Sequence, residues 1–228
     1  ITRPWLQRWL NAHGGDPVVT LRAVMSHFKW RGEYGADSLT GEDWSAEDAT
    51  GEMYCSGVDR EGRPSWTWRC HLHDHRRRSA EESTRYLIAI LERTWLINPA
   101  ADKMHVICDC TGLRYDNYEH VMCLQCVEIL GAQYPDQLEV CFMFPISWVI
   151  QALVAVSSAV LHPDTMARLS LMEQNDVVTT LQKHFDLDQI ETRLGGTLDV
   201  ATASSRRVIT EGKGPLCEYT KEEWREML

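Results

Sequence analysis

Residues 104–161 read MHVICDCTGLRYDNYEHVMCLQCVEILGAQYPDQLEVCFMFPISWVIQALVAVSSAVL, and the order of their patterns indicates the fold class. Met104–Cys110 and Leu138–Phe144 are apolar runs of strand length. Between them the segment about Tyr118–Gln133 reads as a helix, and a second helical segment, about Ser147–Leu161, follows. Strands joined through a helix enter a sheet from the same end and lie parallel. We therefore expect an α/β fold on a mainly parallel sheet.

The flanks continue the alternation. Ser79-Ala80-Glu81-Glu82 has the reciprocal capping pattern and opens a long helix whose one face carries Thr84, Leu87, Ile88, Leu91 and Trp95. Before it, Met53–Val58 and Ser65–Cys70 read as two strands around the turn Asp59-Arg60-Glu61-Gly62-Arg63-Pro64. Asp16-Pro17 caps an earlier helix, in which Leu21, Val24, Met25 and Phe28 recur at helical spacing until Gly32 and Gly35 end it. Residues 37–61 hold eight Asp or Glu and one Arg, which predicts a solvated connector. A strand near Ala167–Leu171 and a helix near Val177–Phe185 complete the series.

The 228 residues are 44% hydrophobic and 25% charged, a globular composition. A formal net charge of −10 argues against wholesale nucleic-acid binding, which needs basic faces to neutralise phosphates. Arg3-Pro4-Trp5 interrupts any apolar run that would make a signal peptide, and the lack of an initiating Met leads us to expect a fragment of a longer chain. Cysteines 55, 70, 108, 110, 123, 126, 141 and 217 mostly have apolar neighbours, so they read as reduced core residues of a cytoplasmic protein.

Val140–Leu161 runs for 22 residues without a charged side chain. That length suits a membrane span, but Pro145 breaks it and Ser147, Gln151, Ser157 and Ser158 dilute it. A buried strand followed by a very apolar helix fits better. Such a helix must hide both faces: one against the protein, the other under either more core or a bound lipid.

Four motifs invite chemistry. Cys108 to Arg114 has the Cys-x5-Arg skeleton of a phosphatase loop, but Asp109 should raise the thiol pKa and Ile107 precedes it where His is usual. Cys123-Leu124-Gln125-Cys126, with His120 and the Cys108/Cys110 pair, lacks a second pair at zinc-site spacing and reads as buried thiols. His71, His73 and His75 read as histidines of a solvated loop. The triplet Arg76-Arg77-Arg78 reads as solvation or as a contact to membrane phosphates. No metal site and no catalytic residue is expected.

In this order of elements the chain resembles the CRAL-TRIO lipid-binding family. The matching pieces are Trp30-Arg31, Asp59-x-x-Gly62-Arg63-Pro64, Glu81-Glu82-Ser83-x-Arg85-Tyr86-Leu87-Ile88 and Val106-Ile107-x-Asp109-x-x-Gly112. Tyr134-Pro135, His162-Pro163-x-Thr165 and Leu194-Gly195-Gly196 follow in the family's order, so the likeness covers about residues 5–199. The resemblance implies a helical lead-in to residue 36, a lipid-binding domain over 37–199 and an extension over 200–228. It implies a sheet flooring an apolar cavity, a gate helix at about Ser147–Leu161, and no cofactor other than a bound lipid-like ligand. Thr84, Leu87, Ile88, Leu91, Val106, Cys108, Leu113, Cys141 and Met143 would line that cavity. Ile150, Leu153, Val154, Ser157 and Leu161 would form the gate's inner face. Trp148, Arg168 and Arg76, Arg77 and Arg78 would meet a membrane surface transiently, as suits a cytoplasmic protein peripheral to membranes. Phosphoinositide-transferring members carry Glu-Arg after Tyr-Pro and a Lys in the late helix; here stand Asp136-Gln137 and Thr179. Among the positions matching a headgroup patch, Gln137, Glu139, Asp164 and Arg168, only the last is basic, so weak phosphoinositide selectivity is expected. The other classes considered are a membrane-recruitment module without transfer and a cysteine phosphatase.

Overall fold

The computed structural model describes residues 1–158 and 163–200, apart from the side chains of Val156 and Ser157. Two capped helices lead in. The Thr2 hydroxyl caps α1 (Arg3–Ala12), a helix not foreseen from the sequence. Asp16 accepts the backbone N–H groups of Val18 and Val19 at the start of α2 (Pro17–Tyr34), and Gly35, at φ +74°, closes it. The spacing of Leu21, Met25 and Phe28 does not mark the packed side of α2, because all three are exposed. The buried side is Thr20, Val24 and His27. Ring contacts of His27 with Trp9 and Trp30, and the Arg31–Glu92 ion pair at 2.8 Å, fix the helix instead.

The acidic connector is only partly solvated, which corrects its reading from charge alone. Leu39 and Trp44 are buried in the core, and the Trp44 ring packs on Tyr86 at 5.5 Å between centroids. The short helix α3 (Ser45–Asp48) presents Asp48 to the Tyr86 hydroxyl at 2.9 Å and to Arg93. The carboxylates of this segment therefore tie it to the domain while its apolar residues fill the core.

Five strands follow: β1 (Met53–Val58), β2 (Pro64–Arg69), β3 (Met104–Asp109), β4 (Leu138–Phe144) and β5 (Leu169–Leu171). They stand side by side in chain order, with β1 antiparallel to β2 and every later pair parallel. The crossovers are α4 (Ala80–Ile97), α5 (His120–Gln133) and α6 (Trp148–Ser157) with α7 (Pro163–Met166); α8 (Val177–Leu181) lies beyond β5. At the start of α4 the Ser79 hydroxyl accepts the Glu82 N–H while the Glu82 carboxylate accepts from Ser79, as the sequence pattern predicts.

Alternation along the strands sends successive side chains to opposite faces. On one face Ile107, Phe142 and Phe144 pack with Val177, Leu181, Phe185, Ile190 and Leu194. The loop that closes this side is held by buried Glu191, which accepts from the Thr67 hydroxyl at 2.7 Å and the Tyr54 hydroxyl at 2.8 Å. A Cβ on Gly196 would stand 2.0 Å from the Ile190 carbonyl oxygen, so only glycine lets this loop turn. The other face carries α4, α5 and α6, and it holds the candidate site.

Candidate functional site

On that second face the register aligns Trp68 of β2, Cys108 of β3 and Met143 of β4 across three strands. One step back, Trp66, Val106, Cys141 and Leu169 align in the same way. Helix α6 lays Ile150, Leu153 and Val154 on this floor, and Cys70, Cys110, Leu113 and Leu171 complete the cluster. The sequence-derived residues Val106, Cys108, Leu113, Cys141, Met143, Ile150, Leu153 and Val154 thus come together. Cys70 and Cys110 were missed; their place on the floor follows from strand alternation, Cys110 standing two residues after Cys108.

The α4 residues sit differently. Leu87, Ile88 and Leu91 lie on the same side of the sheet, but each is at most 3% exposed and packs in the adjoining core with Trp66, Met104 and Met122. Trp68 and Val106 touch both clusters. The Thr84 hydroxyl donates to the Ala80 carbonyl at 2.7 Å and meets Gln125 at 3.0 Å. Leu87, Ile88 and Leu91 thus adjoin the floor and do not belong to it. Leu161 and the Ser157 side chain, expected on the gate's inner face, lie outside the described residues.

Two aromatic side chains stand out into solvent past the carboxyl ends of β3 and β4: Tyr115, 81% exposed, and Trp148, 80% exposed. The arginines expected beside them are already engaged. Arg76 and Arg77 pair with Asp74 at 2.8 and 3.4 Å, and Arg168 pairs with Glu139 at 3.4 Å and Asp136 at 3.6 Å. Arg78 is not a solvated loop residue. Its guanidinium is largely buried on Glu52 and over the Tyr86 ring.

His73 also departs from the sequence reading. It is buried at 2% exposure, with Nδ1 2.8 Å from Glu52 and Nε2 2.9 Å from Glu119. Burial opposes its charge, but the two carboxylates win and hold its pKa above the usual value. His73 therefore ties β1's approach to the cap of α5, since Glu119 is the residue before that helix.

The seven described cysteines are free thiols. The Cys108 sulfur is 3.8 Å from Cys141 and the Cys110 sulfur 3.7 Å from Cys70. Asp109 projects to the face opposite Cys108 and pairs with Arg193, while its charge still opposes the Cys108 thiolate as the sequence reading expects. Hydrogen bonds from Cys141 and Cys70 pull the Cys108 pKa well down, outweighing burial and Asp109. Arg114 is exposed while Cys108 is buried within β3, so the two do not form a phosphate cradle. Among the described residues no group of three or more His, Cys, Asp or Glu could hold a metal ion, and no helix is long and apolar enough to cross a membrane.

Comparison with known proteins identifies the family of this fold. The CRAL/TRIO domain model matches residues 48–196, and the chain belongs to that family. It is 25% identical over 228 residues to a phosphatidylinositol/phosphatidylcholine transfer protein of Arabidopsis thaliana, SFH12, covering 91% of this chain and 41% of the relative. It is 21% identical over 202 residues to a CRAL-TRIO domain-containing protein of Schizosaccharomyces pombe, covering 87% of this chain and 19% of the relative. The chain thus spans less than half the length of these curated relatives. The crystal structure of Sfh5 superposes with a TM-score of 0.72 at 12% identity, over 96% of this chain and 80% of that one, which shows the fold. Family membership supports lipid binding in general.

Proposed function

We propose that the chain holds one lipid or lipid-like molecule between α6 and the sheet, and that its task is to carry or present that molecule without converting it. The observation that supports this most is the apolar cluster formed by β2–β5 and α6. Each methylene moved from water onto such a surface is worth about 0.8 kcal/mol, so an acyl tail there competes with a bilayer. Helix α6 acts as the gate. Only Ile150 among its described side chains is fully buried, so the helix can lift at modest cost. Its exposed Trp148 suits the membrane interface, where an amphipathic indole is favoured.

Selectivity for phosphoinositides should be weak. Asp136 and Glu139 already neutralise Arg168, and charge-assisted bonds to phosphate need a cation free to make them. The experiment is retention and vesicle-to-vesicle exchange of lipid by wild type and Leu153→Arg. The variant should stay folded and lose bound lipid, because its charge would enter the apolar cluster. Wild-type retention in a folded variant would refute the site. Retention without exchange in the wild type would favour the recruitment-module reading.

A further inference from the structure

Two indoles of this domain show the usual pairing: Trp44 Nε1 donates to the Leu39 carbonyl at 2.7 Å, and Trp95 Nε1 donates to Gln137 at 2.9 Å. Trp66 and Trp68 of β2 do not. Both of their Nε1–H groups are shut off from water and meet no acceptor in the protein. A buried indole N–H normally finds a partner, because one left unpaired has given up its hydration for nothing. The two stand two residues apart on β2, so they share the sheet face that α4 and α6 cover.

Their surroundings differ. Trp66 is 4% exposed and enclosed in the α4 core with Met104 and Met122. Trp68 is only half-buried and stands at the border, packed against both that core and the cluster under α6. Cys108 and Met143 continue its row across the next two strands. Val106 and Met143 lie on interior strands beneath the helices, yet both keep accessible surface. His105, Ile107 and Phe142, which point to the opposite face, are buried. Accessible apolar surface and an unpaired donor therefore adjoin on one side of the sheet, and a molecule laid across this row reaches the Trp68 ring.

We propose, building on the lipid-binding reading, that Trp68 determines which ligand is held: one whose hydrocarbon carries an acceptor oxygen, the carbonyl of an ester or ketone, at the level of the Trp68–Cys108–Met143 row. Trp68 Nε1 donates to that oxygen. Water does not reach this N–H, so the bond forms without displacing water from the donor. A hydroxyl oxygen accepts as well, but it brings a donor of its own that must also be paired, so the carbonyl fits better. A chain of hydrocarbon alone leaves the indole as unpaired as before. A site that pairs a polar group of its ligand rejects the analogue lacking that group more sharply than it rejects a missing methylene. Trp68 thus adds chemical selectivity to a surface that otherwise measures length and volume.

The test uses the full chain and vesicle-borne phosphatidylcholines alike in headgroup and chain length. One has ether-linked chains and no carbonyl, one has the usual ester links, and a set of ether-linked lipids has a single keto group moved along one chain. Mass spectrometry of the lipid retained in competition should show the carbonyl-free lipid disfavoured about tenfold against the best-placed carbonyl. The indole N–H makes no bond within the protein, so Trp68→Phe removes none and should fold, with the preference reduced to about one. The carbonyl stretch of the preferred lipid should move to lower frequency on binding to wild type and not on binding to the variant. Equal retention of all the lipids by wild type, or a preference that survives in folded Trp68→Phe, would overturn this inference and leave the binding reading standing. So would a preference abolished by Trp66→Phe alone. If no lipid is retained, both fall. Should Trp68→Phe not fold, the carbonyl stretch in wild type decides, and an unshifted band overturns the assignment.

Discussion

Replacing Ile150 with Ala tests whether α6 opens as a unit. Ile150 is 1% exposed and packs in the cluster with Cys70, Cys108, Cys110 and Cys141. The change removes three buried carbons, at about 0.8 kcal/mol each, and leaves a void, so about 2.5 kcal/mol is a conservative cost. If opening breaks all of these contacts, that cost falls on the closed state alone. The ratio of open to closed protein then rises about 60-fold. Two measurements read it: amide exchange across residues 148–157, and release of a fluorescent-acyl lipid to acceptor vesicles. Both should accelerate toward that factor, while Gln151→Ala on the exposed side of α6 should leave both near wild type. Suppose instead that exchange and release keep wild-type rates while the denaturation midpoint falls. Ile150 would then belong to the static floor, and the gate would lie elsewhere.

The lead-in helices should depend on one buried carboxylate. Glu92→Gln leaves the buried Arg31 guanidinium with only the exposed Asp37 as its counter-charge and weakens the 2.6 Å hydrogen bond from Tyr134, so denaturant midpoints should report a loss of about 2 kcal/mol. A loss near zero would show that Arg31 rehydrates freely. His73, with its pKa raised in the fold, adds stability that is complete below about pH 6.5 and disappears as pH climbs through the raised value. His73→Gln should therefore flatten the alkaline side of the stability profile; an unchanged slope would refute the assignment. His27 acts with the opposite sign. Burial lowers its pKa to about 4, so stability present above about pH 6.5 is lost as pH falls toward that value, and His27→Gln should reduce the acid-side slope. In competition binding, phosphatidylinositol should show no advantage over phosphatidylcholine, and a clear preference would mean that Arg168 is released from Asp136 and Glu139 when lipid binds.

The sheet was legible because its strands are buried on both faces and alternate with helices whose caps are written locally. Ser79 and Glu82 lie three residues apart, and Asp16 caps the residues next to it, so short-range rules suffice. The lead-in was less legible for a physical reason. α2 is fixed by side chains whose partners come from afar: His27 by Gln133, Arg31 by Glu92 and Tyr34 by Arg85. An apolar period normally marks a packed face, yet here Leu21, Met25 and Phe28 are exposed while histidine and arginine make the contacts. The acidic connector misled in the same way, since its charge says nothing of the buried Leu39 and Trp44 between the carboxylates.

At the site, the resemblance named Val106, Cys108, Cys141 and Met143, and alternation along β3 and β4 sets them on one face, because a strand's period fixes which residues share a face. The same rule limits the effect of Asp109. Adjacent in sequence to Cys108, it opposes the thiolate as expected, but neighbours along a strand point to opposite faces and its charge is outweighed. Asp109 therefore answers Arg193, eighty-four positions away in sequence, and Cys108 answers sulfurs brought in by β4 and the end of β2. His73 makes the parallel case for a loop: it alternates with other histidines and looks solvated, yet Glu52 and Glu119 close on both nitrogens. Electrostatic environment is a property of the assembled surface. Sequence adjacency predicts it only where the backbone sends neighbours to the same side, as along one face of a helix, and β3 does the reverse.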